Sequence, residues 1–318
     1  MIKRLTAFTI ALFSILTLFG CTENLDDNNE TISIVTTIFP AYDFAKNIAG
    51  KSAKVSMLIA PGSEVHSFEP SPQDMIKIQK CDLFIYTGGE SDEWVNTLLS
   101  SNEYKNLHVL RMMDCVDILN EEHIEGMESE DHHEEDSHHE SEEADEHVWT
   151  SPKNAVKISE SIMKQLKQID PDNAKAYGNN FNTYKEKLNA VDMRLTDVSN
   201  QIQNKTLVFA DRFPMRYFAE EYGFDYYAAF PGCSSQTEPS SSTIVFLIDK
   251  VKQQNIPAVF CIEFSNGKLA DTICEETSAK KYTLYTCHNI SKEDFDKGVG
   301  YIELMQKNAD TLKEAFGI

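Results

Sequence analysis

The sequence predicts an α/β fold in which two halves, each a set of parallel βαβ units, are joined by one long helix. Predicted strands and helices alternate in both halves, and an amphipathic stretch of about 30 residues separates the halves. The chain has 318 residues, of which 41% are hydrophobic and 10% are aromatic. It is therefore large enough for about two packed domains.

The predicted strands of both halves are short apolar runs that end at turn residues. In the first half the predicted strands are 32–37, 54–59, 82–87 and 107–112, and the predicted helices are 40–49 and 72–80. In the second half the strands are 206–210, 258–263 and 282–286, and the helices lie near 215–222, 242–254, 269–277 and 299–316. Such alternation is typical of parallel sheets covered by helices.

A single long helix is predicted between the two halves. Its apolar residues recur in steps of three and four, which is the spacing of one helix face. They are Ala174, Tyr177, Phe181, Tyr184, Leu188, Val191, Leu195, Val198 and Ile202. At ~1.5 Å per residue such a helix would extend about 45 Å, enough to cross both halves. A coiled-coil segment is the alternative, but one segment between two α/β halves favours a rigid linking helix.

The N-terminus has the features of an export signal. Lys3 and Arg4 precede an apolar run over residues 5–19, which is shorter than the roughly 20 residues needed to span a bilayer. The run ends in Leu18-Phe19-Gly20-Cys21, which resembles the lipobox of bacterial lipoproteins and implies cleavage before Cys21 and a lipid on its sulfur. Six cysteines follow Cys21, and outside the cytosol they can form disulfides or remain free thiols.

These features divide the chain into five parts. We expect a signal peptide over residues 1–20, a lipidated tether over 21–30, an N-terminal lobe over 31–152, linking helices over 153–204 and a C-terminal lobe over 205–318. The linking helix should restrict the lobes to small tilts when a ligand binds.

Most of the negative charge lies in one stretch of the N-terminal lobe. The formal net charge is −22, and residues 121–146 contain 14 Asp and Glu without a Lys or Arg, so the rest of the chain carries about −8. Such a stretch cannot bury itself, and we expect a solvated, disordered loop. Acidity argues against nucleic acid as a partner and suits a cation. Five histidines lie in this loop: His123, His132, His133, His138 and His139.

Three further histidines lie in loops at the ends of predicted elements. His66 follows a predicted strand, His147 precedes a helix opened by a Ser-Pro pair, and His288 follows the strand 282–286. In open parallel sheets, ligands bind in the crevice at the carboxyl ends of the strands. One loop histidine alone is more often a solvated residue, but three together indicate a metal such as zinc, which imidazole suits.

Several segments resemble one known family. They are Pro61-Gly-Ser-Glu-Val-His-Ser-Phe-Glu-Pro70, the Asp-Leu-Phe-Ile-Tyr run that ends at Tyr86, Gly88-Gly89 with Trp94, and His147-Val-Trp-Thr-Ser-Pro-Lys-Asn-Ala155. They resemble the metal-binding solute-binding lipoproteins of ABC importers, the zinc and manganese receptors, and the resemblance runs from about Ile32 to the C-terminus. It implies two (β/α) lobes, a linking helix and one metal in the cleft between the lobes, held by residues of both.

The same resemblance implies a set of metal ligands. His66 matches the family's first ligand, His147 its second, and His288 its fourth, where an acid is common. The family's third ligand is missing: Asp211 is the nearest replacement, while Arg212 can occupy the strict register and repel a cation. The other acids that could bind or support the metal are Glu263, Glu238 and Glu64.

These features predict an extracytoplasmic receptor, not an enzyme, that captures Zn²⁺ and delivers it to an ABC permease from the outer face of the cell membrane. Three His and one carboxylate favour a four-coordinate zinc site, whereas more oxygen ligands would favour Mn²⁺. The alternatives are a receptor for Mn²⁺ or Fe²⁺, a zinc hydrolase and a surface adhesin. The His-rich loop could hold zinc near the cleft, or it could be only a solvated insertion. Zinc affinity should fall as the pH drops through about 6.5, because ligation needs neutral imidazole.

Overall fold

Two parallel sheets form the framework of the protein, and a computed structural model describes residues 31–128, 143–234 and 238–318. The first sheet has the order β2-β1-β3-β4 and contains β1 (Ile32–Thr36), β2 (Ala53–Met57), β3 (Leu83–Tyr86) and β4 (His108–Arg111). The second has the order β6-β5-β7-β8 and contains β5 (Thr206–Arg212), β6 (Asp225–Phe230), β7 (Ala258–Ile262) and β8 (Lys280–Leu284). All strand pairs in these sheets are parallel, so the predicted fold class is confirmed.

Helices cover the sheets and join them. They are α1 (Phe39–Ala49), α2 (Pro72–Lys80), α3 (Glu93–Leu99), α4 (Pro152–Ile169), α5 (Ala174–Gln201), α6 (Arg216–Tyr222), α7 (Ser241–Gln254), α8 (Lys268–Glu276), α9 (Lys292–Asp296) and α10 (Tyr301–Phe316). Local sequence fixes where α2 and α4 begin: each has a serine cap whose hydroxyl accepts a backbone N–H at 3.3 Å, followed by proline at the first helical position.

The two sheets share one strand order, and this order determines where a ligand can bind. In each sheet the first strand in sequence, β1 or β5, lies between the next two strands, so the connections leave it in opposite directions. A crevice forms at the carboxyl ends of the strands at such a point. His66 follows β2 and His288 follows β8, so both lie at the carboxyl ends of their sheets.

The long helix predicted between the halves is α5, and it contacts helices of both lobes. It packs against α1 on one side and against α10 and α6 on the other. It spans 28 residues, which corresponds to about 42 Å at 1.5 Å per residue. Of the predicted apolar stripe, Ala174 is half-buried and the other eight residues are buried. The helix begins at Ala174, the first residue of the predicted stripe, after a short 3-10 turn over Pro171–Asn173.

Direct contacts also fix the lobes to one another. The Trp149 side chain is fully buried, and its Nε1 donates to the carbonyl oxygen of Thr286 at 2.9 Å. The Tyr301 hydroxyl donates to the Trp149 carbonyl oxygen at 2.7 Å. Asn289 donates to the carbonyl oxygens of Ala60 and Ser63 at 3.1 and 2.7 Å. Residues Ile32–Ile318 consequently form one compact unit.

The structure corrects the predicted disordered loop over 121–146 at both of its ends. Residues 121–128 and 143–146 pack on the folded lobes, and Asp145 and Glu146 are buried. Their carboxylates are buried because they accept hydrogen bonds, which offset the lost hydration: Asp145 accepts from His147 N–H and Glu146 from Ser91 N–H. Residues 129–142, with His132, His133, His138 and His139, lie outside the described residues, as do the predicted signal peptide, tether and Cys21.

Two further features were open or missed in the sequence. The six cysteines after Cys21 are free thiols, and three of them, Cys81, Cys261 and Cys287, are buried. Strand β6 was not predicted, although it forms an edge of the second sheet. Its half-exposed start, Asp-Tyr-Tyr, does not have the continuous apolar pattern of β5 and β7.

Candidate metal centre

The loop after β2 presents His66 to the cleft. The Glu64 carboxylate accepts the backbone N–H groups of Val65 and His66 at 3.2 and 3.3 Å, which fixes the turn. The His66 Nδ1 lies 3.0 Å from Ser91 Oγ, and this hydroxyl lies 2.5 Å from Glu146 Oε1. Because a carboxylate only accepts, Ser91 donates to Glu146 and accepts from Nδ1–H of His66. The lone pair of His66 is then on Nε2, the form that a metal requires.

The segment before α4 holds His147 in the same tautomer. Asp145 Oδ1 accepts the backbone N–H of His147 at 2.8 Å and lies 3.2 Å from its Nδ1. The His147 side chain is completely buried, and among the described residues its Nε2 has no hydrogen-bond partner. A buried polar atom without a partner is costly. It indicates that a ligand, here a cation, supplies the missing interaction.

A tight turn after β8 brings His288 into the cleft. Thr286 donates from its backbone N and its Oγ1 to the two carboxylate oxygens of Glu263, both at 2.7 Å. Cys287 then adopts a positive φ of 61°, and the His288 N–H donates to Thr286 Oγ1 at 3.2 Å. The ring of Trp149 lies against the His288 ring, with 4.7 Å between the centroids. Glu263 therefore positions the turn that carries His288.

These three histidines converge from the two lobes. Their ring centroids are separated by 6.0 Å (His66–His147), 5.0 Å (His66–His288) and 5.3 Å (His147–His288). One donor atom from each lies within 4.8 Å of the others. Donors of a tetrahedral zinc ion with bonds of about 2.1 Å lie roughly 3.4 Å apart, so small side-chain movements suffice to close the group around an ion.

Burial keeps two of the three rings neutral. Burial, together with His147 and Arg212, lowers the pKa of His66 to about 3. Burial likewise lowers the pKa of His288 well below its ordinary value. For His147 burial lowers the pKa, but the Asp145 carboxylate and other acids more than compensate and raise it overall. His66 and His288 therefore offer lone pairs at neutral pH, and the acid sensitivity of binding depends mainly on His147.

The predicted acids lie around this group rather than within it. Asp211 and Glu263 line the cleft cavity of about 270 Å³, together with Glu64. Among the described residues, none of the three belongs to the donor group of the histidines. Glu263 is occupied by Thr286, and Asp211 accepts the N–H of Arg212 at 2.9 Å. Glu238 is exposed. His123, the described histidine of the His-rich loop, is also exposed.

Arg212 lies in the same cavity and places a positive charge beside the histidines. Its Nη2 lies 3.9 Å from Glu64 Oε2 of the other lobe, and its Nη1 donates to the Ser234 carbonyl oxygen at 3.2 Å. Its charge contributes to the low pKa of both His66 and His288. The positive charge of the guanidinium thus disfavours a cation bound to these histidines.

Two residues near the group were not found in the sequence. Glu146 binds Ser91 and lies 4.0 Å from His66 Nδ1, and Cys233 lies close to Glu146 and His147. Glu146 directly precedes the predicted ligand His147, so its place in the sequence could have indicated that it lies near the metal centre. Cys233 follows β6, which was itself missed, and nothing local in the sequence indicates its position beside His147.

Comparison with known proteins agrees with this architecture. The family model described as zinc-uptake complex component A, periplasmic (ZnuA), matches residues 34–315. The chain belongs to this family. The family expected from the motifs around His66 and His147 is therefore confirmed.

Individual relatives cover nearly the whole chain. The zinc-binding lipoprotein AdcA of Streptococcus pneumoniae is 33% identical over 313 residues, which are 98% of this chain and 60% of that protein. The high-affinity zinc uptake system protein ZnuA of Bacillus subtilis is 32% identical over 293 residues, 91% of this chain and 89% of that protein. The crystal structure of the Zn(II)-bound ZnuA-like domain of pneumococcal AdcA has a TM-score of 0.75 at 30% identity, covering 91% of this chain and 100% of that domain.

The position of Arg212 leads to a prediction about affinity. Arg212→Gln removes a positive charge that a cation must approach, so zinc affinity should rise by about tenfold, equivalent to about 1.4 kcal/mol. Isothermal calorimetry with a competing chelator measures the change. Arg194→Gln, on the exposed face of α5, is the matched control and should leave affinity unchanged. Equal or weaker affinity in Arg212→Gln would contradict this role.

Proposed function

We propose that this chain is an extracytoplasmic, non-enzymatic receptor that captures Zn²⁺ and delivers it to an ABC permease. The main support for this proposal is the convergence of His66, His147 and His288, which brings donor atoms from both lobes within 4.8 Å of one another. The family, whose model is that of a zinc-uptake component, supports the same conclusion.

The donor set favours zinc over manganese. Three imidazoles form the group, and in the described residues no carboxylate belongs to it. Imidazole suits zinc, whereas manganese prefers carboxylate, carbonyl and water oxygens. The three histidines are the ligands in this proposal. Asp211 remains the candidate fourth ligand, since it lines the same cavity as His66 and His288.

The surroundings of the acids support a binding role rather than hydrolysis. A catalytic zinc needs a water in an open position and a nearby general base. Glu263 uses both carboxylate oxygens to hold Thr286, and Glu64 accepts backbone N–H groups of its own loop. Both acids thus have structural partners, and the histidines lie at the junction of two lobes, as in a receptor that encloses its cargo.

The location of the receptor follows from its N-terminal sequence. Leu18-Phe19-Gly20-Cys21 supports a lipid on Cys21 that holds the protein at the outer face of the cell membrane, next to the permease. The pneumococcal relative is named a lipoprotein. The described helices include none with the length and hydropathy needed to cross a bilayer.

Removing one histidine from either lobe tests the proposed site. His66→Ala and His288→Ala should each lower zinc affinity by at least about a hundredfold, because each removes a direct ligand and leaves two imidazoles. Competition calorimetry against a chelator gives the affinities. His108→Ala, an exposed histidine on β4, is the control and should bind as the wild type does. Unchanged affinity in both cleft variants would place the zinc elsewhere.

The His-rich loop has a separate proposed role, which is to hold zinc weakly and supply it to the cleft. Four of its histidines lie between residues 129 and 142, and acids accompany them. Deleting 129–142 keeps Glu121, Asp145 and Glu146, which pack on the lobes. The deletion should lower the total zinc bound per chain while one tight site remains, as measured by elemental analysis after dialysis at several zinc concentrations. Unchanged stoichiometry would show that the segment is only a solvated insertion.

A further inference from the structure

A second group of metal-ligating side chains lies beside the three histidines and shares one of them. One donor atom each from Glu146, His147 and Cys233 lies within 4.8 Å of the others. Glu146 and His147 belong to the segment before α4, whereas Cys233 belongs to the loop after β6 in the other lobe. The second group therefore also joins the two lobes.

The backbone around residue 232 brings the thiol to this position. A Cβ atom at Gly232 would lie 3.3 Å from Cε1 of His147 and 3.1 Å from both Oε1 of Glu121 and the Phe213 carbonyl oxygen, so the backbone approaches the histidine closely at this glycine. The Cys233 N–H donates to the same Glu121 oxygen at 3.1 Å. The hydrogen bond thus holds the loop against His147, and the lack of a side chain at residue 232 allows this close approach.

The charges around the thiol are suited to a cation. The carboxylates of Glu146, Glu121 and Asp145 all act electrostatically on the thiol. A divalent ion offsets this negative field: the thiol gives its proton to solvent, and the sulfur lone pair forms the bond to the metal.

We propose that Glu146, His147 and Cys233 form a second zinc position, which a zinc ion can occupy instead of the three-histidine position. His147 Nδ1 faces Asp145, so Nε2 is the atom left for a metal, and no residue in the described part of the chain is its hydrogen-bond partner. Both positions need this one atom and cannot be filled together. The ion passes between them by exchanging His66 and His288 for Glu146 and Cys233 while it stays on His147.

The second position has a consequence for metal selection. Its thiolate is a ligand for zinc and other thiophilic ions, whereas manganese prefers oxygen donors. Binding at this position therefore favours zinc over manganese. The exchange between the two positions rests on the proposed function, because it requires zinc to bind at the three-histidine position. The second position is defined by its own side chains and can be tested in a protein that lacks the first.

Cobalt(II) is a suitable probe because a thiolate ligand gives it an intense near-ultraviolet charge-transfer absorption, which nitrogen and oxygen ligands do not give. The double variant His66→Ala/His288→Ala removes the first position. Titrated with Co²⁺, the folded full-length variant should show the thiolate absorption with one equivalent bound. Adding Cys233→Ser should abolish it, whereas adding Cys274→Ser, a half-buried cysteine of α8, should not. Circular dichroism verifies that each variant is folded.

Two results would overturn the second position. One is a folded double variant that shows no thiolate absorption at saturating Co²⁺, and the other is an absorption that survives Cys233→Ser. In the first case, a thiolate absorption in the wild type at one equivalent would make Cys233 a fourth ligand of the histidine site instead. Failure of the proposed function would be seen in a different measurement, because the wild type would then not bind zinc tightly.

Discussion

The geometry of the metal centre depends on Trp149, which fixes the two lobes at the point where the histidines meet. It follows His147 by two residues, its Nε1 donates to the Thr286 carbonyl oxygen, and its ring packs on His288. Tyr301 donates to its carbonyl oxygen from α10. One buried side chain therefore sets the distance between a ligand of the first lobe and a ligand of the second. With α5 packed on both lobes, this contact favours small local movements over wide hinge closure on binding.

Buried carboxylates orient the rings without joining the donor group. Asp145 accepts from His147, Glu146 acts through Ser91 on His66, and Glu263 holds the turn before His288. Each acid is balanced by hydrogen bonds, which is the condition for burying a carboxylate. The resulting negative potential attracts a divalent ion, and the positive charge of Arg212, which lines the same cavity, opposes this attraction. The affinity for a metal ion therefore depends on the balance between the attraction of these acids and the repulsion of Arg212.

The sequence predicted the parallel sheets, the α5 stripe and the approach of His66, His147 and His288, because each has a local signature: strand runs, a 3–4 spacing, and loops at element ends. It did not predict β6, whose first residues are half-exposed, or Cys233, whose position depends on the packing of that strand's loop against another lobe. The buried ends of the acidic stretch were missed for a related reason. A run of acids looks solvated in sequence, and the backbone donors that hold the half-buried Glu121 and the buried Glu146 come from distant segments.

In the proposed site, one zinc ion binds to His66, His147 and His288 together. Crystals of the protein loaded with one equivalent of zinc, measured at the zinc absorption edge, test this directly through the anomalous difference density. We expect a single strong peak at the junction of the lobes, about 2.0–2.1 Å from Nε2 of all three histidines. A peak within bonding distance of fewer than all three histidines, or a strong peak only outside the cleft, would show that the three do not bind the ion together.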